Sequence, residues 1–202
     1  MTATIITTDR VSVVAPTVGV VGPTQGQWKY ADYAALPEDG NRYEIIQGVL
    51  YMAPSPNFGH QHSSTHFVYY LVVQIEQTGL GWVLHAPFDV ELGPGNVVQP
   101  DILVVLKANQ AGIELGKFVG APDLVVEIAS PGTAGYDRRQ KQDAYAKAGV
   151  PEYWIADPAA QTIEVLILEQ GIYQSRGVFA DQALLPSQIV PELPIKVAQF
   201  FA

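Results

Sequence analysis

Cysteine is missing from all 202 residues, so neither a disulfide framework nor a thiolate metal site is open to this chain. That suits a reducing cytoplasm, which is the compartment expected. Basic residues are scarce: 11 Lys and Arg face 20 Asp and Glu, a formal net charge of −9. Sequence-independent affinity for DNA comes chiefly from lysines and arginines that displace counterions, so broad attraction to nucleic acid or to an anionic membrane is excluded. Any DNA contact has to be local or neutralised by metal ions. Long apolar runs are lacking too, none reaching the roughly 18 residues of a membrane-crossing helix, so no membrane partner is expected. The opening stretch "MTATIITTDRVSVVAPTVGVVGPTQG" has neither the basic start nor the uninterrupted apolar centre of a secretion signal, being broken by Asp9, Pro16, Gly19 and Pro23. Residues 1–26 are therefore read as a loose tail, with a "VSVV" strand docked on a partner subunit as the alternative.

The whole chain is 48% hydrophobic, enough to bury one full core, and residues 27–202 are read as a single domain. "WKYADYAALP" fits a short helix, and "RYEIIQGVLYMAPSP" a hairpin pivoting on Gln47 and Gly48. "NFGHQHSSTHFVYYLVVQIEQTG" carries Phe67, Tyr70, Leu71 and Ile75 at helical spacing, with Asn57 as cap and Gly79 just past the end. Two strands follow, "GWVLHAPFDVELG" and "NVVQPDILVVL", then a loop with one helical turn, then a strand in "DLVVEIAS". A helix is expected over "AGYDRRQKQDAYAKAGV", stopped by Gly149, and further strands in "EYWIADP", "TIEVLILEQG" and "YQSRGVFA". The order predicts an α/β or α+β domain built on one mixed sheet.

Two strands carry an acid inside an apolar run: Asp101 in "QPDILVV" and Glu127 in "DLVVEIAS". An ion buried there without a partner costs on the order of several kcal/mol. Two carboxylates brought together repel unless a proton or a cation lies between them, and oxygen ligands at an open site suit magnesium or manganese. The competing account is a pair of acids at strand ends, solvated or tied to backbone amides. Glu44, in the apolar strand "RYEIIQG", could close such a site from the side. Asp137, Lys141 and Tyr145 stand at i, i+4 and i+8 on the helix after Glu127, so Lys141 can look back over the acids and orient a water.

These residues carry a resemblance. "PDILVV", "PDLVVEIASPGTAGYDRRQKQDAYAKAGVPEYWIADP" and "RYEIIQGVLYMAPSPNFGHQ" together resemble the Uma-two family of restriction-endonuclease-like proteins, a bacterial group abundant in cyanobacteria. The resemblance implies the PD-(D/E)XK nuclease fold, a central mixed β-sheet flanked by α-helices, with a divalent metal at the ends of its middle strands. By the same resemblance Asp101 matches the aspartate of the "PD" element, Glu127 the acid of the "ExK" element and Glu44 the upstream glutamate. Ala129 stands where that signature has lysine, and Lys141 is the natural replacement. The implied metal site is Asp101, Glu127 and the backbone carbonyl of Ile128, holding Mg2+ or Mn2+. His60, at a point of the helix where relatives often carry histidine, is a candidate phosphate contact. Arg138 and Arg139 form the compact basic cluster, suited to backbone phosphates or simply to solvent.

His62 and His66 stand at i and i+4, yet no motif acid accompanies them as in H-E-x-x-H, so zinc is not expected. Three functions then compete: a magnesium-dependent endonuclease hydrolysing phosphodiester bonds of DNA, a non-catalytic binding or assembly protein on the same fold, and a glycosidase using two carboxylates. Nothing resembling a sugar-stacking aromatic platform supports the last. Cutting both strands usually calls for two active sites, so a homodimer or higher homo-oligomer is expected.

Overall fold

The computed structural model describes residues 15–130, 134–190 and 192–202. The "VSVV" stretch lies outside the described residues. Within the stretch expected to be loose, residues 15–26 are tied down: β1 (Ala15–Pro16) pairs with β3, and Gly26 N donates to Gly48 O at 2.7 Å.

Mixed α/β architecture is as expected, but the strands make two sheets where one central sheet was predicted. The reason lies in two prolines. "GWVLHAPFDVELG" breaks at Pro87 into β4 (Gly81–His85) and β5 (Asp89–Gly93), and "NVVQPDILVVL" breaks at Pro100 into β6 (Asn96–Val98) and β7 (Ile102–Leu106). Proline has no N–H to give a ladder and fixes its own φ, so each long run turns there. β4 pairs with β7, and β5 with β6, in different sheets. The two crossing points touch: Ala86 N donates to Asp101 O at 3.1 Å.

The first sheet has seven strands in the order β1-β3-β2-β6-β5-β9-β8. It contains the expected hairpin, β2 (Arg42–Ile46) and β3 (Val49–Ala53), whose turn residues Gln47 and Gly48 both take positive φ, 53° and 73°. That is the hairpin turn whose twist matches the flanking strands. It also contains β8 (Ile113–Glu114) and β9 (Lys117–Val119), which lie where a loop was predicted. The second sheet has six strands in the order β13-β12-β11-β10-β7-β4. Its remaining members are β10 (Leu124–Ile128), β11 (Glu152–Asp157), β12 (Thr162–Glu169) and β13 (Ile172–Ala180).

Helices cover and separate the sheets. α1 is the short Tyr30–Tyr33, and α2 (Phe58–Leu71) runs on through a π-turn over Val72–Glu76. Asn57 caps α2 as expected, its side chain accepting from His60 N at 3.0 Å. α3 (Ala134–Tyr136) passes through a π-turn over Asp137–Lys141 into α4 (Gln142–Ala148), which Gly149 ends in the left-handed region at φ 88°. Among the described residues no helix is long and apolar enough to cross a membrane.

Strand periodicity distributes the apolar residues between cores. Ile102 and Val104 of β7, with Leu124, Val126 and Ile128 of β10, face Phe67 and Leu71 of α2 and Ile75 of the π-turn that follows it. Their alternates Leu103, Val105 and Val125 face α4 and the first sheet, meeting Ala144, Tyr145, Ile46, Val90 and Val98. Trp28, Tyr43, Ile45, Leu50 and Val97 make a smaller core on the outer face of the first sheet.

Candidate active site

The same parity that sorts the apolar residues aims the acids. Glu127 alternates with Val126 and Ile128, so it points to the α4 side of the second sheet, and Glu44 shares the face of Ile46 on β2. Asp101 sits just before β7, in step with Leu103 and Val105. Glu44, Asp101 and Glu127 therefore converge where the chain crosses between sheets, around a cavity of about 30 Å³ that Arg42, His60 and Lys141 also line. That volume suits one or two waters or a small ion.

All three acids are buried, and each has a partner. Lys141 Nζ lies 2.9 Å from Glu44 Oε1 and 2.9 Å from Glu127 Oε1. Lys141 and Tyr145, expected on one helix face, do reach the same oxygen, since the Tyr145 hydroxyl donates to Glu127 Oε1 at 2.6 Å. The side chain of Asp137 lies outside the described residues. Burial first, then the charge of Glu127, pushes the Tyr145 phenol well above its ordinary value, so it keeps its proton and donates.

Asp101 Oδ2 accepts from Ile128 N at 2.8 Å and meets His60 Nε2 at 3.0 Å. Burial pushes the Asp101 carboxyl up. The hydrogen bond and charge of His60, the charge of Lys141 and the Ile128 amide together outweigh it and hold the carboxyl below the usual carboxylate range. His60 Nδ1 is buried and makes no hydrogen bond among the described residues.

The donor set fits a small hard cation. Glu44 Oε1 is used by Lys141 and by Gln99 N at 2.8 Å, and neither Glu44 Oε2 nor Asp101 Oδ1 makes a hydrogen bond among the described residues. Those two carboxylate oxygens are hard donors of the kind that magnesium or manganese takes. The acids do not form a ready-made cage, however: among the described residues no three acid or imidazole groups are gathered as a metal centre. The group between Glu44 and Glu127 is the Lys141 ammonium.

Other predicted residues lie elsewhere. Arg138 pairs with Glu164 on β12, and Arg139 Nε donates to Gly135 O within its own helical segment at 3.1 Å. Neither lines the cavity of the acids, because the helix turns them away from the side that buries Lys141. His62 meets the carbonyl oxygen of Ala202 at 2.7 Å and packs edge-on to His66. Asp89 is half-buried and accepts from Tyr33 and Gln99, both at 2.8 Å, while Glu91 pairs with Lys117 at 2.8 Å. Sequence reasoning passed over Arg42, held by Gln99 through Nε to Oε1 (3.3 Å) and Nη2 to the carbonyl (3.2 Å). Its signal was its place two residues before Glu44, on the same face of the strand.

The same mixed α/β architecture is found in a solved protein. A protein from Anabaena variabilis described as "a putative nuclease belonging to DUF820" superimposes with a TM-score of 0.74 at 23% identity, covering 86% of this chain and 97% of that one. The model of the Uma2 (Uma-two) family, described as "Putative restriction endonuclease", matches residues 30–198, and the chain belongs to that family. No curated protein matches it.

Proposed function

We propose that the chain is a metal-dependent endonuclease that hydrolyses phosphodiester bonds of DNA, with Mg2+, or Mn2+ in its place, as cofactor. The observation that carries this is the convergence of Glu44, Asp101, Glu127 and Lys141 on one buried cavity at the strand ends. Family membership and the nuclease-like fold support it. Asp101, Glu127 and the Ile128 carbonyl would hold the ion, with Glu44 completing its surroundings. When bound, such an ion lowers the pKa of a water and offsets charge on the phosphate. Lys141 orients the attacking water, held in place by its two carboxylates. Tyr145 fixes Glu127, and His60 with the Ile128 amide fixes Asp101. Cleavage of both strands of a duplex would need two such sites, hence a homodimer.

Exchange of Asp101 for alanine is expected to abolish metal-dependent nicking of a plasmid while leaving the fold intact. Nicking that survives the exchange rules the assignment out. A second reading, a non-catalytic binding or assembly protein, is favoured by the Lys141 ammonium already seated between Glu44 and Glu127. Calorimetric titration with Mg2+ or Mn2+ separates the two, since an empty titration leaves the nuclease without its cofactor.

A further inference from the structure

A second, larger cavity of about 530 Å³ opens beside the catalytic one and shares Arg42, His60 and Asp101 with it. One wall is a stripe of α2 at helical spacing, Gln61, Ser64, Thr65 and Val68, and the other is the β4–β5 connection at His85, Ala86 and Pro87. Its volume lies within the range of about 300–1,000 Å³ that accommodates small organic ligands. One nucleotide fits such a space; a duplex does not.

Its chemistry is polar and available. The side chains of Gln61 and Ser64 make no hydrogen bond among the described residues. His85 Nδ1 donates to Ala86 O at 2.9 Å, which leaves Nε2 for a ligand. Arg42 engages Gln99 through two of its N–H groups and keeps others for an anion, at the boundary between the two cavities. Gln99 is itself held, its Nε2 donating to Tyr33 and Asp89, so the guanidinium stands on a fixed support. Among the described residues no aromatic ring other than the histidines lines the space, so a base would be held by its edge rather than by stacking. The net charge of −9 supplies no long basic track for a duplex, and only local contacts can bind.

We infer that this cavity is a subsite for one unpaired nucleotide beside the scissile phosphate, with Arg42 on the phosphate, and that the chain cuts DNA where bases are unpaired. The inference rests on the nuclease reading of the adjoining site. Labelled oligonucleotides of one sequence test it when offered as a single strand, a full duplex and a duplex with an unpaired bubble. Binding is read by fluorescence anisotropy with Ca2+, and cutting with Mn2+. The single strand and the bubble are expected to bind at least about tenfold more tightly than the duplex, the scale of one base contact. Ser64→Trp, which fills the cavity, erases that preference without moving the melting temperature, and Gln61→Trp repeats the test from an exposed position should Ser64→Trp fold poorly. Equal or tighter binding of the duplex, no binding at all, or a preference that both tryptophans leave intact overturns the subsite. Preference without cutting overturns the nuclease reading and leaves the subsite standing; cutting of the duplex alone does the reverse.

Discussion

The two ends of the six-stranded sheet each bury a pair of acids, and they treat them differently. At one end Asp101 and Glu127 lie beside a cavity with Lys141 and His60. At the other, Asp123 accepts from Leu106 N (2.7 Å) and Asn109 Nδ2 (2.8 Å), and Glu152 accepts from Trp154 Nε1 (2.6 Å), Gln188 N (2.8 Å) and Ile189 N (3.2 Å). Both ends are equally closed to water. What separates them is the partner: fixed amide and indole N–H groups around Asp123 and Glu152, and the side chains of His60, Lys141 and Tyr145 around Asp101 and Glu127. Burial of a carboxylate is thus no mark of function until its oxygens have been followed.

The contrast breaks most visibly if the wrong end controls catalysis. Asp101→Asn keeps an acceptor for Ile128 N and His60 but removes the charge, and is expected to lower metal-dependent cleavage by roughly a hundred- to a thousandfold, with a melting temperature close to that of the parent. Glu152→Ala is the mirror experiment. It takes the acceptor from the buried Trp154 indole and from the Gln188 amide, Ile189 N keeping Ser187 Oγ, and is expected to cost about 3 kcal/mol in urea denaturation, while cleavage per folded molecule stays unchanged. Loss of cleavage beyond the unfolded fraction would erase the distinction.

Lys141→Met sharpens the comparison, because it leaves Glu44 and Glu127 facing each other without their ammonium. About 3 kcal/mol of stability should go, as for any broken buried pair, and added Mn2+ should restore part of it. No recovery with Mn2+ would show that these acids do not hold the ion. The smallest effect belongs to groups outside both pairs of acids. Burial holds the Tyr173 phenol far above its ordinary value of 10.0, and burial with Asp89 does the same for Tyr33. A raised folded pKa means that the folded state keeps its proton where the unfolded chain has lost it. That contribution is complete below about pH 10 and is lost as the pH climbs past it. Melting temperature should fall above that pH, and Tyr173→Phe, costing about 1 kcal/mol at neutral pH for its bond to Val150 O, should make the fall shallower.

Asp101 and Glu127 were legible in the sequence because an acid inside an aliphatic run demands an explanation. Asp123 and Glu152 carried much the same signal, in "PDLVV" and "PEYWI". They could not be told apart there, because the amides that satisfy Glu152 lie 36 and 37 residues further along the chain. Lys141 and Tyr145 were legible through their four-residue spacing, which holds although Lys141 closes the π-turn and Tyr145 lies in α4. The division into two sheets was not: Pro87 and Pro100 announce a break, but the direction a strand takes afterwards depends on partners far off in the chain. Arg42 was hidden for a simpler reason, since an arginine at the start of a hairpin strand looks like any solvated charge.

The crossing of the chain between sheets at Ala86 and Asp101 has a consequence for how the molecule comes into being. Glu44 is contributed by a strand of one sheet, Glu127 by a strand of the other and Asp101 by the residue just before one, and the lysine that balances them arrives later along the chain. Neither half holds the whole cluster. A chain still being synthesised, or one with either core loosened, lacks the assembled cluster, which is complete only when the last piece has docked.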